Sequence, residues 1–388
     1  MQITAFWRNV RFLQGLAQVL FVFLLALTAG FLYANVSANL ARQGLTVGYD
    51  FILNPASFDI GESYISYQAS DSYSRALLVG LVNTLVVTAL GILLTTVVGI
   101  VAGVARLSSN WLISQLAAAY VGVIRNTPLI IQLMFWYFGI ILQLPAVKEA
   151  VALPGSIYLT RRGVYLPWYE AMPAFDSWRV YIWLALVSTI IIWFIFRGMR
   201  NRSSLPIPLW WYMAYILTPV FILWIGLMLQ PEPPLKATIP QLTGLNFKGG
   251  LRLTPEFAAL LFGLVVYTGA FVAEVVRAGI QAVSRGQVEA ARSLGLTGGQ
   301  TLRLIVFPQA LRVIIPPLTS QYLNLAKNSS LAIAIGYPDL FSVSKTIINQ
   351  SGATIEVIVI IMLSYLSMSL FTSLLMNIYN RRVRLVER

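Results

Sequence analysis

Histidine and cysteine are both absent from the 388 residues, so little chemistry is open to this chain. Imidazole bases, thiol nucleophiles, disulfides and most zinc sites are excluded together. What remains is a few charged and amide side chains set in apolar sequence. Glu274 and Arg277 stand three apart in Tyr267-Thr-Gly-Ala-Phe-Val-Ala-Glu-Val-Val-Arg-Ala-Gly-Ile, which puts both on one helix face. An ionisable group in such a stretch must face a bundle interior or a cavity. Two roles fit it: an ion pair that holds the helix in place, or a carboxylate beside a polar path that meets a positively charged group. A second polar stretch follows Pro316-Pro317 and includes Asn324, Lys327, Asn328 and Ser329. Freed backbone groups cannot face lipid, so this stretch lines a cavity or is sealed by other helices. Asn324, Asn328 and Ser329 are candidate cavity groups; Lys327 either pairs with a carboxylate or snorkels to the outer interface. Thr127 before Pro128 is a helix-start signal. A helix N-terminus there either favours an anionic group or marks where a surface helix meets a span.

The longest stretch of the second half that cannot sit in lipid runs from 285 to 312, with Arg285, Arg292, Arg303 and Arg312 against the single acid Glu289. Val288 to Leu294 reads as a short amphipathic helix. Gly295 is placed to stop it, because glycine tolerates the left-handed end position. Thr297-Gly298-Gly299 predicts a turn, and Gln300 to Phe307 a second helix interrupted by Pro308.

These groups need a membrane scaffold to position them. The chain is 58% hydrophobic and 11% charged, with mean hydropathy +0.75, against about 25% charged in soluble domains. Eight apolar segments can be placed, at about 12–33, 76–105, 115–142, 180–197, 208–229, 256–280, 313–337 and 355–380; a span needs roughly 20 apolar residues. The first is read as an anchor, since Asn35-Val-Ser-Ala-Asn is a poor cleavage site. Eight spans put both termini on one side, and arginine chooses it. Sixteen arginines, from Arg8 and Arg11 to Arg384 and Arg388, gather on one face against Glu289 and Glu387. The net charge of +13 is therefore a topology signal rather than a nucleic-acid surface, and it puts both termini and the 285–312 loop in the cytoplasm.

The expected fold is an all-α integral membrane protein. Residues 1–34 form an inner tip and first span, 35–75 an outer segment, and 76–142 spans two and three. Residues 143–255 form outer loops with spans four and five, inserted into the core. Spans six to eight occupy 256–380, with the polar loop between them, and 381–388 is an inner tail. Tyr49 to Tyr67 is aromatic and partly alternating, which predicts short extended pieces on the outer surface. Gly91, Thr95, Gly99 and Gly103, four apart, make a close-packing stripe.

Glu289-Ala290-Ala291, three residues, Gly295, nine residues, Ile305, two residues and Pro308 resembles at every spacing the EAA loop of ABC-importer permeases. Arg125-Asn-Thr127-Pro128-Leu and the segment around Glu274 resemble the polar amino-acid branch of that family. The likeness covers most of the chain, is strongest over 256–350 and 76–142, and is nearest to the longer permeases of general amino-acid importers. It implies the type I importer fold, with Glu289, Ala290, Ala291, Gly295, Ile305 and Pro308 forming a coupling helix that docks on a cytoplasmic ATPase. It also implies a second permease subunit, often unlike the first, an ATPase dimer holding ATP and magnesium, a periplasmic binding protein that delivers the amino acid, and a bacterial inner-membrane setting. The chain holds no Gly-x4-Gly-Lys-Ser/Thr phosphate loop, so it needs no cofactor of its own and its energy comes from a partner. An ion-driven carrier calls for more intramembrane charge and repeated halves. A membrane enzyme calls for a catalytic cluster, which the residue types do not supply. A coupling subunit that binds no substrate fits the sequence as well as a substrate-binding one.

Overall fold

In the computed structural model, residues 10–42, 48–202 and 209–383 are described. Arg8, Arg384, Glu387 and Arg388, together with the end of the expected inner tail, lie outside them. Helix α1, Val10–Arg42, is apolar right round, and its hydrophobic window buries nothing within the chain, as suits a helix solvated by lipid. Across 48–72 a 3-10 turn at Asp50–Leu53 and one isolated bridge, Pro55 to Ser72, are the regular structure among the described residues. The extended pieces expected there form no ladder, because Phe51, Phe58 and Tyr67 turn inward onto a buried cluster that includes Tyr73, Leu340 and Val357.

Helix α2, Tyr73–Ala105, starts at Ser72, whose hydroxyl accepts from the Arg75 amide at 3.4 Å. Helices α3, Trp111–Asn126, and α4, Leu129–Met134, are broken at Thr127-Pro128, where proline disfavours a helical residue before it. Short strands β1 (Val151–Leu153), β2 (Ile157–Thr160), β3 (Gly163–Leu166) and β4 (Trp168–Ala171) precede the helices α5 (Ala174–Arg202) and α6 (Leu209–Met228). Strands β5 (Leu235–Thr238), β6 (Gln241–Thr243), β7 (Asn246–Lys248) and β8 (Leu251–Leu253) follow. Then come α7 (Pro255–Gln281), α8 (Arg285–Ser293), α9 (Gly298–Thr301), α10 (Phe307–Asn328), α11 (Leu340–Ser351) and α12 (Thr354–Val383).

The expectation of an all-α chain is corrected by those strands. They form an antiparallel sheet in the order β1-β2-β3-β8 and two two-stranded antiparallel pairs, the β6-β7 hairpin and β4-β5, whose strands are joined through α5 and α6. Each strand is three or four residues long, too short for its period to stand out from loop sequence. β3 meets β8 across the whole α5–α6 insertion, with Val164 opposite Leu253. The protein is mostly helical. Six described helical stretches are long and apolar enough to cross a bilayer, seven if α3 and α4 count as one broken span. The apolar part of α6, Met213–Met228, is shorter.

One unit holds residues 1–125 and 264–388, the other 126–263. In the first, α2 packs on α7 through the predicted small-residue stripe. A Cβ at Gly99 would fall 2.3 Å from Val272 Cγ1, and one at Gly103 would fall 2.7 Å from the Ala273 carbonyl oxygen, so only glycine permits this approach. α11 lies against α2, with Gly80 touching the Leu340 backbone. Asp339 caps α11 by accepting from the Ser342 amide at 2.8 Å. In the second unit α5 and α6 form an antiparallel hairpin, and Trp178 Nε1 donates to the Leu223 carbonyl at 3.3 Å.

The break predicted at Pro308 is absent: the helix runs on from Gly298 to Ile335. The reason is local. Residues Leu302–Val306 form a π turn, and Pro308 sits in the first turn of α10. The wider turn accommodates the ring and the missing N–H. Pro316 and Pro317 likewise stay inside α10.

Candidate functional site

The polar loop is built as two helices meeting at a left-handed corner. α8 ends with Gly295 at φ +79°. The Gly295 amide donates to the Arg292 carbonyl at 2.9 Å, and the Leu296 amide to the Ala291 carbonyl at 3.1 Å, which satisfies the last carbonyls of α8. α9 starts in a full capping box: Thr297 Oγ1 accepts from the Gln300 amide, and Gln300 Oε1 accepts from the Thr297 amide at 2.9 Å. Residues 297–299 were legible only as a turn, yet Thr-x-x-Gln is itself a helix-start signature.

Along α8 the residues divide by face. Ala291 is buried, while Glu289, Ala290 and Gly295 are exposed. Among the described residues the Glu289 carboxylate has no ion-pair partner. Leu294 is 82% exposed and Leu304 58%. Ile305 is half-buried in the π turn, and Pro308 is exposed. The loop thus offers an unpaired acid, a small residue and bare leucines on an outward surface, whose buried side continues directly into α10. Such a surface suits a groove on another protein.

Glu274 lies at the centre of an arginine cluster. Arg106 from the end of α2 and Arg277 from α7 hydrogen-bond its carboxylate, and Arg125 from α3 stands 3.8 Å away. Arg277 also donates to Gln281 Oε1 at 2.7 Å. Three guanidiniums thus meet one carboxylate and tie three helices together. The sequence singled out only Arg277, because the other two are remote in the chain.

A cavity of about 240 Å³ lies between α7 and α10. Tyr267, Thr268 and Phe271 form one wall; Gln321, Asn324 and Asn328 form the other. The second set, at i, i+3 and i+7, shares one helix face. Asn324 and Asn328 are thus brought together with Gln321, Tyr267 and Thr268, which sequence reasoning passed over; amides recurring at helical spacing within an apolar segment were the signal for Gln321. Thr268 is 2% exposed, and its Oγ1 has no hydrogen-bond partner among the described residues. Phe271 joins this cavity to the charge cluster, for the Arg125 guanidinium lies 5.1 Å from its ring centroid. Lys327 is exposed and does not line the cavity. Ser329 is buried, its hydroxyl donating to the Ala326 carbonyl at 2.8 Å. Thr127 lies at the break before α4. There Pro128 takes the cap position without a side-chain cap bond, and Gln132 Nε2 donates to the Thr127 carbonyl at 2.9 Å.

The chain is thus a helical membrane protein with an exposed polar loop and a polar cavity between the two helices that enter and leave that loop. Residues 203–385 match the model of the family described as "Binding-protein-dependent transport system inner membrane component". The chain is 45% identical to the putative amino-acid ABC transporter permease protein YhdX of Escherichia coli (strain K12), over 96% of this chain and 94% of that protein. It is 43% identical to the general L-amino acid transport system permease protein AapQ of Rhizobium johnstonii, over 91% of this chain and 88% of that one. Among solved structures, an amino acid ABC transporter crystallised with histidines is similar over 80% of this chain and 95% of that chain, at 24% identity and a TM-score of 0.48. The chain belongs to the permease family of binding-protein-dependent ABC transporters. It is a multi-pass inner-membrane subunit, and the ATPase of such a transporter is a separate subunit.

Proposed function

We propose that this subunit moves amino acids from a periplasmic binding protein to the cytoplasm by alternating access, using the cavity between α7 and α10. One observation carries the reading. The two helices that wall the cavity are the same two that the polar loop joins, so a force on the loop reaches both walls through the backbone. The amino-acid substrate is supported by the likeness to YhdX and AapQ, whose names carry it. The cavity is lined by amides, hydroxyls and aromatic rings with no charged side chain. It therefore favours polar recognition of a zwitterion shared by many amino acids over a counter-charge for one side chain.

In this reading Glu289, Ala290 and Gly295 sit in the groove of the ATPase, Ala291 seats α8 on the rest of the chain from its buried side, and Ile305 and Pro308 lie at the root of α10. ATP closes the ATPase dimer, the grooves move, and the α8–α9 corner moves with them. Two grooves call for two handles, so a second permease subunit, unlike this one, stands beside it. The topology is eight spans with both termini inside. α3–α4 supply one span and α6 another, and the arginine surplus lies on the cytoplasmic face. Asn324 and Asn328 line the path, with Thr268 and Gln321 beside them. Lys327, Ser329 and Thr127 stand outside the cavity wall. Glu274, held by three arginines, acts on the path through the Phe271–Arg125 contact.

The test is ATP-driven uptake by the complete importer in proteoliposomes. Glu289→Lys and Gly295→Pro are expected to abolish uptake while the permease still inserts and the ATPase still hydrolyses ATP. Uptake at the wild-type rate by either well-inserted variant would remove the loop from the mechanism.

A further inference from the structure

A second and larger cavity lies behind the polar loop. It has a volume of about 790 Å³ and opens between the end of α2, the start of α3 and the inner side of α8–α9. Its walls are apolar: Ile100, Val101 and Val104 of α2, Ile113 of α3 and Ile280 of α7. Two groups at the loop side are not. Arg292 lines it from α8. Thr301 lines it from α9, is 3% exposed, and has no hydrogen-bond partner for its Oγ1 among the described residues. A buried hydroxyl left without a partner is costly, so a ligand that supplies an acceptor there is favoured. The apolar wall also runs on into exposed apolar surface of α2 and α3. Val97 and Val101 are 56% and 64% exposed, and Ile113 is 46% exposed.

We propose that this cavity is a binding site for an anionic phospholipid of the inner leaflet. One acyl chain lies along Ile100, Val104 and Ile113, an ester oxygen accepts from Thr301, and the phosphate pairs with Arg292. Charge selects this occupant over a zwitterionic lipid. The cavity holds a guanidinium and no carboxylate, and an inner-leaflet site of that sign attracts anionic headgroups by about 1 kcal/mol per arginine. Apolar walls that continue into the exposed apolar faces of α2 and α3 select an acyl chain over a polar peptide of the ATPase. The lipid so placed wedges between α2 and the coupling hairpin. The assignment of leaflet rests on the inward placement of residues 285–312 proposed above.

The test measures retained lipid, with no need for transport. The complete importer is purified from membranes of mixed phosphatidylglycerol and phosphatidylethanolamine, and its lipids are counted by native mass spectrometry. Wild type is expected to retain phosphatidylglycerol preferentially. Arg292→Gln lowers that preference by about five-fold, Thr301→Val lowers occupancy without disturbing assembly, and Val104→Trp displaces the lipid. Equal retention by wild type and all three variants, or no preference between the two headgroups, overturns the proposal. So does a crosslink from the cavity wall to a protein segment that fills it. Sidedness is read separately, by membrane-impermeant labelling of a cysteine placed at Ser293 in this cysteine-free chain. A wrong topology therefore shows in the labelling and a wrong ligand in the mass spectrum.

Discussion

At the scale of the residue, Glu274 is the most constrained side chain. One carboxylate faces Arg106, Arg125 and Arg277, which are 20%, 40% and 28% exposed at their side chains. Removing its charge leaves three guanidiniums facing one another. Breaking a fully buried pair costs about 3–5 kcal/mol and an exposed one up to about 1. Glu274→Gln is therefore expected to lower stability in detergent by about 1–3 kcal/mol, read as a fall in unfolding temperature. The second reading of this residue, direct contact with a substrate ammonium, makes a different prediction: a raised KM for uptake with little change in stability. The sequence carried both readings, since Glu274 and Arg277 are neighbours on one helix and the two other arginines are 149 or more residues away in the chain. Local spacing shows the first partner; only the fold brings the others.

At the scale of the element, glycine decides how α2 and α7 meet. Gly99 and Gly103 have no room for a side chain against Val272, Ala273 and Val276. Gly103→Val should cost about 1–3 kcal/mol or more, as overpacking does, and should push α2 away from the helix that enters the loop. Limited proteolysis and thermal unfolding of the purified complex check this; a variant as stable as wild type would mean the contact is looser than its 2.7 Å backbone approach. The stripe was legible because intervals of four are a helix signature. The fate of Pro308 was not, because a single proline predicts a break unless a neighbouring turn widens to take it. The strands of 151–253 were hidden for a third reason: pairs such as β3 with β8 close around an inserted helical hairpin, and no short window of sequence contains both partners. α11 and the capping box at Thr297–Gln300 had visible signals, Asp339 with Gly352 and Thr-x-x-Gln, which an apolar-segment reading passes over.

At the scale of the whole molecule, the chain is a permease whose ATPase is another subunit, and the 285–312 loop is the proposed handle between them. Composition alone establishes the membrane class, and the six matched positions from Glu289 to Pro308 establish the family likeness. The cavity needed the fold, because α7 and α10 supply its two walls and the loop separates them in sequence. The central claim is that the α8–α9 corner is held by a partner ATPase and moves with it. The most direct measurement uses the absence of native cysteine in this chain. A single cysteine is placed at Ser293, which is exposed on α8, and crosslinked within the intact importer, with and without ATP. The account predicts an efficient crosslink to the ATPase whose yield or partner position changes when ATP closes the dimer. No crosslink to the ATPase in either state, or labelling of that cysteine from the periplasmic side, would contradict it.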